Sequence, residues 1–161
     1  MKLKLFKNSL LLILTLSLVS CSSKVTKESI VIQDSAYKIV IASDQSDYKD
    51  AIRDMLVEKY KKNSSIEIVN IEDLEKIDGK NYDVVVILDT CMAWSRFNPS
   101  LKSFIDRKKE NNTVLFISAG DPDWKYSYKG VDAITSASEI ELKDDTYKKI
   151  VEQIDKIIGK D

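Results

Sequence analysis

Histidine is absent from this chain of 161 residues, and its absence excludes several kinds of site at once. No Ser-His-Asp or Cys-His catalytic centre can form, no imidazole can hold zinc or haem, and no histidine can act as a general base. Any catalysis therefore needs a cofactor or carboxylates. The sequence identifies no catalytic residue, and whether the protein is an enzyme stays open at this point.

The first 20 residues follow the plan of a secretory signal peptide. Lysines at positions 2, 4 and 7 precede an apolar run from Leu10 to Val19. This run is shorter than the roughly 20 apolar residues of a typical membrane span. It ends in Leu18-Val19-Ser20-Cys21, which resembles the lipobox of bacterial lipoproteins, where cleavage precedes the cysteine and its sulfur receives diacylglycerol. The alternative is a plain cleaved signal with a chance cysteine.

The lipobox resemblance implies a mature protein that starts at Cys21. Lipid on this residue would hold it on the extracytoplasmic side of a cell membrane or an outer membrane, so the membrane is its first expected partner. Removing three lysines and no acid changes the formal net charge from −1 to −4, which does not favour nucleic acid as a partner. Cysteine is also scarce, and with Cys21 lipidated only Cys91 remains, so no internal disulfide can form.

The mature chain is interpreted as a polar tether over residues 21–36 and one domain over residues 37–161. From Tyr37 onward, short β-branched runs alternate with helical stripes, which is typical of a parallel sheet flanked by helices. A short apolar patch at 30–32 is a weaker strand signal within the tether. The five main predicted strands cover residues 38–42, 66–69, 84–88, 114–117 and 131–134.

Three helical segments are predicted between and after these strands. Apolar spacing from Tyr48 to Lys59 marks the first, and Asn98-Pro99 supplies a cap and a first-turn proline for the second. The third begins after Asp144-Asp145 and stops at Gly159. Right-handed crossovers then predict an α/β, doubly wound, three-layered fold with five parallel strands in the order 2-1-3-4-5.

The stretch from Asp83 to Gly120 resembles the middle of short-chain flavodoxins. An apolar strand is followed by a loop with Trp94, then a proline-led helix at 98–105, and then a strand that closes in Ser118-Ala119-Gly120. In that family an aromatic of this loop stacks on flavin mononucleotide (FMN). The resemblance covers about residues 37–158 and implies electron transfer through FMN to a redox partner protein.

The flavodoxin resemblance implies an FMN site at the carboxyl ends of the strands, where open α/β sheets bind ligands. The residues expected there are Ser43, Ser46, Thr90, Trp94, Ser118, Gly120, Trp124, Thr135 and Ser138. The loop that should hold the phosphate reads Ser43-Asp44-Gln45-Ser46-Asp47-Tyr48, with two carboxylates and no glycine. Because these charges repel a phosphate dianion, the alternative is a flavin-free, flavodoxin-like binding lipoprotein.

A second motif, Asp132-Ala133-Ile134-Thr135-Ser136-Ala137-Ser138, resembles the flavinylation sequence of exported FMN-carrying domains. In those proteins a transferase joins FMN through its phosphate to the last hydroxyl, which by position is Ser138. A covalent phosphoester needs no phosphate-binding loop. The alternative is a turn of small residues, whose hydroxyls satisfy local backbone groups.

Several other residues keep two interpretations each. Trp94 and Trp124 either flank the flavin ring or cover the top of the core. Cys91 is either a reactive thiol or a small buried hydrophobe, and Arg96 pairs either with a phosphate or with a nearby aspartate. No metal site is predicted, because five acids lie scattered over three loops without ligand spacing: Asp44, Asp47, Asp89, Asp121 and Asp123.

Overall fold

The computed structural model describes residues 25–91, 98–108, 110–121 and 124–159, which form seven strands and three α-helices. The strands are β1 (Glu28–Ile30), β2 (Tyr37–Ser43), β3 (Ser64–Asn70), β4 (Val84–Thr90), β5 (Thr113–Ser118), β6 (Ser127–Tyr128) and β7 (Val131–Ser136). The helices are α1 (Asp47–Tyr60), α2 (Pro99–Arg107) and α3 (Lys143–Ile157), with short 3-10 helices at Ile71–Lys76, Gly79–Asn81 and Ile140–Leu142. The predicted signal peptide, Cys21, Trp94, Arg96 and Asp123 lie outside the described residues.

One mixed sheet runs in the order β1-β3-β2-β4-β5-β7-β6. Strands β3, β2, β4, β5 and β7 are neighbours that pair in parallel. Strands β1 and β6 pair antiparallel at the two edges of the sheet. The α/β class is therefore confirmed. The prediction of a five-stranded, wholly parallel sheet is wrong, because two short antiparallel strands extend the sheet to seven.

Strand β6 exists because the chain makes a tight hairpin into β7. Lys129 and Gly130 both have left-handed backbone angles, with φ of 49° and 78°, as a type I′ hairpin turn requires. The loop pairs Ser127 with Asp132 and Tyr128 with Val131. Two residues are too few for an alternating pattern, so this strand has no periodic signal in the sequence.

Strand β1 lies within the segment that the sequence assigned to the tether. Ile30 packs against the core, and the backbone N–H of Ile32 donates to Ser65 Oγ at 3.1 Å. Asp34 then reverses the chain toward β2 with a φ of 57°. The expected tether of residues 21–36 therefore overlaps an ordered edge strand.

The core has two halves, one on each face of the sheet. Val84, Val86 and Leu88 of β4 face α1 and α3, whereas Val85 and Ile87 face α2 and the first 3-10 helix. Helices thus cover both faces of β4, which explains why its central residues are apolar without alternation. Every helix among the described residues is too short or too polar to cross a lipid bilayer.

The three predicted helices are confirmed, with small differences at their ends. The Asn98 side chain caps α2 by accepting from the backbone N–H of Ser100 at 2.9 Å. Helix α3 starts at Lys143, slightly earlier than predicted, because the 3-10 turn Ile140–Leu142 leads into it. Lys59, which the apolar spacing included, is exposed and lies 3.6 Å from Asp155 Oδ2.

Replacing Ile30 tests whether β1 is part of the folded domain. We expect Ile30→Ala to lower the free energy of unfolding by about 1–3 kcal/mol, because its half-buried side chain packs against the core. The adjacent Val31 is 82% exposed, so Val31→Ala should change it by less than about 0.5 kcal/mol. Urea unfolding of both variants measures the difference, and equal effects would show that β1 contributes nothing.

Candidate functional site

The strand order reverses between β2 and β4. From β2 the chain moves outward to β3 on one side, and it then returns to β4 on the other side of β2. In open α/β sheets such a reversal leaves a crevice at the carboxyl ends of the two strands, where ligands bind. We call this place the switch point, and the edge of the sheet that contains it the carboxyl edge. Asp44 follows β2 there, and Asp89 and Thr90 end β4.

A row of hydroxyl groups crosses the carboxyl edge from β4 to β7. Thr90 pairs with Ser118, and Ser118 pairs with Ser136, so the three side chains share one face of the sheet. Ser118 Oγ donates to Thr90 Oγ1 at 3.2 Å. The Tyr48 hydroxyl lies over the same face, where it donates to Ser136 Oγ at 3.4 Å and shares a 2.8 Å hydrogen bond with Thr146.

Lys49 supplies a buried charge at the switch point. Its side chain is only 2% exposed, although it stands in the first turn of α1. The ammonium lies 2.5 Å from Asp44 Oδ1 and donates a hydrogen bond to Thr90 Oγ1. Residues of β4, α1 and the β2–α1 loop are thus joined by one buried cation.

Asp89 supplies a second buried charge, on the opposite face of β4 from Thr90. Its carboxylate is 3% exposed and accepts backbone hydrogen bonds from Thr90, at 2.8 Å, and from Asn98. Burial, with a smaller contribution from the negative charge of Asp44, raises its pKa to about 6, although its backbone hydrogen bonds and Lys49 act in the opposite direction. The group is therefore close to its titration range at neutral pH.

The hydroxyls expected to bind the FMN phosphate are used within the chain. Ser43 is fully buried, and its Oγ donates to the Asp44 carbonyl at 2.6 Å. Ser46 caps α1 by accepting from the Lys49 backbone N–H at 3.2 Å. With Asp44 and Asp47 in the same loop, this donor set does not fit a phosphate held without a covalent bond.

The other expected FMN residues are spread along the carboxyl edge. Trp124 is half-buried, packs against the core on the α2 side, and stacks on Tyr126 with ring centroids 5.8 Å apart. Gly120 is exposed, and an added Cβ there would meet no atom within 4 Å. Thr135 is half-buried, whereas Ser138, just beyond the end of β7, is exposed.

Cys91 has the environment of a structural cysteine. Its thiol is half-buried, and burial, together with the negative charge of Asp89, raises its pKa. A raised pKa leaves less of the reactive thiolate at neutral pH. The structure thus favours the interpretation of Cys91 as a small packed side chain.

A comparison with protein-family models found no match to this chain, and a comparison with curated proteins found none either. The chemistry of the site is therefore argued from its own residues. Among the parts of the chain that the structure describes, no three acidic or cysteine side chains converge as metal ligands. Asp44 already has the Lys49 ammonium beside it.

Lys49 is the residue that the sequence interpretation missed. Its signal was present, since it precedes Ile52 by three residues and Leu56 by seven, a spacing that places it on the apolar face of the helix. A lysine on such a face, five residues after Asp44, indicates a buried pair. Tyr48 was taken as a core residue only, and its hydroxyl contacts were not foreseen.

Replacing Asp89 tests its raised pKa. Between its ordinary pKa of 3.8 and its folded value of about 6, the folded protein holds a proton that the unfolded chain has released. Stability should therefore fall as pH rises from 4 to 6, by about 3 kcal/mol for two pKa units, and then stay at the lower level. Asp89→Asn removes this titration, so we expect its free energy of unfolding to vary less over that range.

Urea unfolding at several pH values between 4 and 8 measures the difference between the variant and the unchanged protein. Exposed Asp47 provides the control, because Asp47→Asn should leave the slope between pH 4 and 6 almost unchanged. Parallel curves for Asp89→Asn and the unchanged protein would contradict the assignment.

Proposed function

We propose that this protein is a membrane-anchored, extracytoplasmic, flavodoxin-like module that binds a ligand or partner at the switch point between β2 and β4. The observation that carries this proposal is the ion pair between buried Lys49 and partly exposed Asp44, in which the ammonium also bonds Thr90 at the end of β4. Binding, not a reaction, is the role that these residues support best.

The parallel part of the sheet supports the flavodoxin-like assignment. With the two antiparallel edge strands left out, the order is β3-β2-β4-β5-β7, which corresponds to 2-1-3-4-5 in a flavodoxin-like sheet. The additional strands lie at the outer edges, away from the switch point. They leave the crevice between β2 and β4 in the place where such folds bind ligands.

The charges buried at this ligand-binding position are better explained by a function than by a contribution to stability. Removing an ion pair from water costs free energy, and apolar residues of similar size often stabilise a fold equally well or better. Lys49 and Asp89 are both nearly inaccessible to solvent. Titratable groups with a shifted pKa, such as Asp89, concentrate at functional sites. The position of both charges at the switch point therefore supports a binding role.

The side chains that reach solvent indicate which ligands the site accepts. Asp44 is 33% exposed and Asp47 is exposed, whereas the Lys49 ammonium is almost fully covered. The accessible groups are thus mainly acceptors with negative charge. Hydroxyl, ammonium or guanidinium groups suit them, and a free phosphate does not.

Covalently attached FMN is a second candidate function, which the exposed hydroxyl of Ser138 favours. Ala137 before it is buried, so the end of β7 holds Ser138 at the carboxyl edge where a transferase can reach it. Bound there, FMN would supply one- and two-electron transfer and would require a redox partner. Trp124 and the row of hydroxyls lie along the same edge.

A double replacement tests the role of the Lys49–Asp44 pair. We expect Asp44→Leu combined with Lys49→Met to leave the free energy of unfolding unchanged or to raise it by about 1–4 kcal/mol, because no charge then needs burial. Lys49→Met alone should lower it by about 1–3 kcal/mol, because the covered Oδ1 of the partly exposed Asp44 loses its partner. If urea unfolding shows the double variant as unstable as the single one, the pair serves folding, and the proposal loses its support.

Intact mass and absorbance test the anchor and the flavin together. The full precursor is expressed in a bacterium with a flavin transferase and purified from the membrane fraction. We expect lipid on a chain that begins at residue 21, and we expect Cys21→Ser to lose both the lipid and the membrane attachment. Covalent FMN would add its mass and a yellow colour to the protein. We expect Ser138→Ala to lose both the added mass and the colour, and the nearby Ser136→Ala to keep both.

The outcomes separate the parts of the proposal. A precursor without lipid contradicts the membrane anchor. A lipidated but colourless protein that ignores added FMN rules out both ways of binding FMN and leaves the flavin-free binding module. A yellow Ser138→Ala variant contradicts the assignment of the attachment residue.

A further inference from the structure

The chain enters the domain at the same edge of the sheet as the candidate site. Strand β1 runs antiparallel to β3, with Glu28 opposite Ile68 and Ile30 opposite Ile66. Strand β3 is parallel to β2 and ends at Asn70, which pairs with Ser43. The residues before β1 therefore lie toward the carboxyl ends of β2 and β3.

Side-chain contacts hold this entry point in place. Val25 packs against the core on the α1 side, and the Lys27 ammonium lies 2.6 Å from Glu67 Oε1. Val25 and Thr26 also border a shallow cavity beside the loop that contains Asp44; its other lining residues are Glu28, Gln45, Asp50, Arg53 and Ile68. The N-terminal segment thus reaches the carboxyl edge, beside the start of α1.

The chain between the expected lipid and this entry point is short. Val25 comes four residues after Cys21, and a fully extended chain of that length spans at most about 14 Å. Helix α1 alone is about 21 Å long, and it runs from the carboxyl edge to the opposite, amino edge. If the amino edge faced the bilayer, Val25 would stand farther from the surface than this span allows.

We infer that lipid on Cys21 holds the carboxyl edge toward the membrane, and that the partner of the switch-point site is a protein of the same membrane with a basic segment. This inference rests on the anchored binding module proposed above. It adds the orientation of the site and the kind of partner that can reach it.

Charge favours a basic protein segment over lipid headgroups as the occupant. Five exposed acids stand around the helix starts at the carboxyl edge: Asp47, Glu139, Glu141, Asp144 and Asp145. Two of them have lysines beside them, since Lys143 lies 3.5 Å from Asp144 Oδ1 and Lys148 lies 3.3 Å from Asp145 Oδ1, which leaves Asp47, Glu139 and Glu141 as the main source of negative charge. Anionic headgroups would be repelled by these carboxylates, whereas lysine and arginine side chains would be attracted. Lys49 does not offset them at the surface, because it is buried against Asp44.

Energy transfer from the two ends of α1 tests the orientation. Lipidated protein carrying Cys91→Ser is labelled at Gln45→Cys, next to the start of the helix, or at Lys62→Cys, just past its end; both positions are exposed. The protein is placed in phosphatidylcholine vesicles that contain an acceptor on the headgroups. Because the labels differ by about 21 Å in height, we expect transfer from Gln45→Cys to be at least about twofold greater.

A longer tether provides the control for orientation. Inserting about 20 Gly and Ser residues between Lys24 and Val25 should abolish the difference between the two labels, because a flexible linker lets the domain turn. Equal or reversed transfer with the native tether would overturn the inferred orientation. Intact mass is measured on the same samples, so a chain without lipid contradicts the proposed anchor and not the orientation.

A lipid-anchored lysine peptide in the same vesicles tests the partner. With the acceptor on this peptide, we expect greater transfer from Gln45→Cys than with an acidic peptide of equal length. Asp47→Lys should reduce that transfer, whereas Glu58→Lys, near the other end of α1, should not. Equal energy transfer to the lysine peptide and to the acidic peptide would overturn the inference of a basic partner. Greater energy transfer from Gln45→Cys to labelled headgroups of anionic phosphatidylglycerol vesicles than to the lysine peptide would overturn it too.

Discussion

The burial of β4 on both faces is the constraint on which the rest of the structure depends. Its residues from Val84 to Leu88 have no exposed surface, and they alternate between the core under α1 and α3 and the core under α2. Both cores meet through this strand, so its register between β2 and β5 cannot slip without exposing one of them. The same register holds Asp89 and Thr90 at the switch point.

Because β4 alternates, its last two residues direct their side chains to opposite faces. Thr90 meets the Lys49 ammonium on the α1 side, while Asp89 accepts backbone hydrogen bonds, including one from the start of α2. Lys49 and Asp89 are both removed from water, so each charge depends on a few specific partners. The candidate site therefore consists of charged side chains that a rigid apolar strand holds in place. Apolar packing alone does not account for the presence of these charges.

The edge strand β1 gives the N-terminal segment a fixed direction. Its pairing with β3 means that the segment before Glu28 leaves the domain beside the loop of Asp44 and Gln45, not at a distant point of the surface. With lipid on Cys21, as proposed, the membrane would lie close to this loop.

Local patterns in the sequence determined the five main strands and the three helices, because apolar spacing and caps such as Asn98 depend only on near neighbours. The N-terminal signal stays a prediction from the same kind of local pattern. The tertiary structure alone decided the short edge strands, whose two or three residues carry no period. It also decided the site: Lys49 is buried because Thr90, distant in sequence, comes to lie beside it, and the hydroxyls of Thr90, Ser118 and Ser136 align only through strand register. Such contacts join residues that no local pattern relates, so they exist only once the sheet has formed.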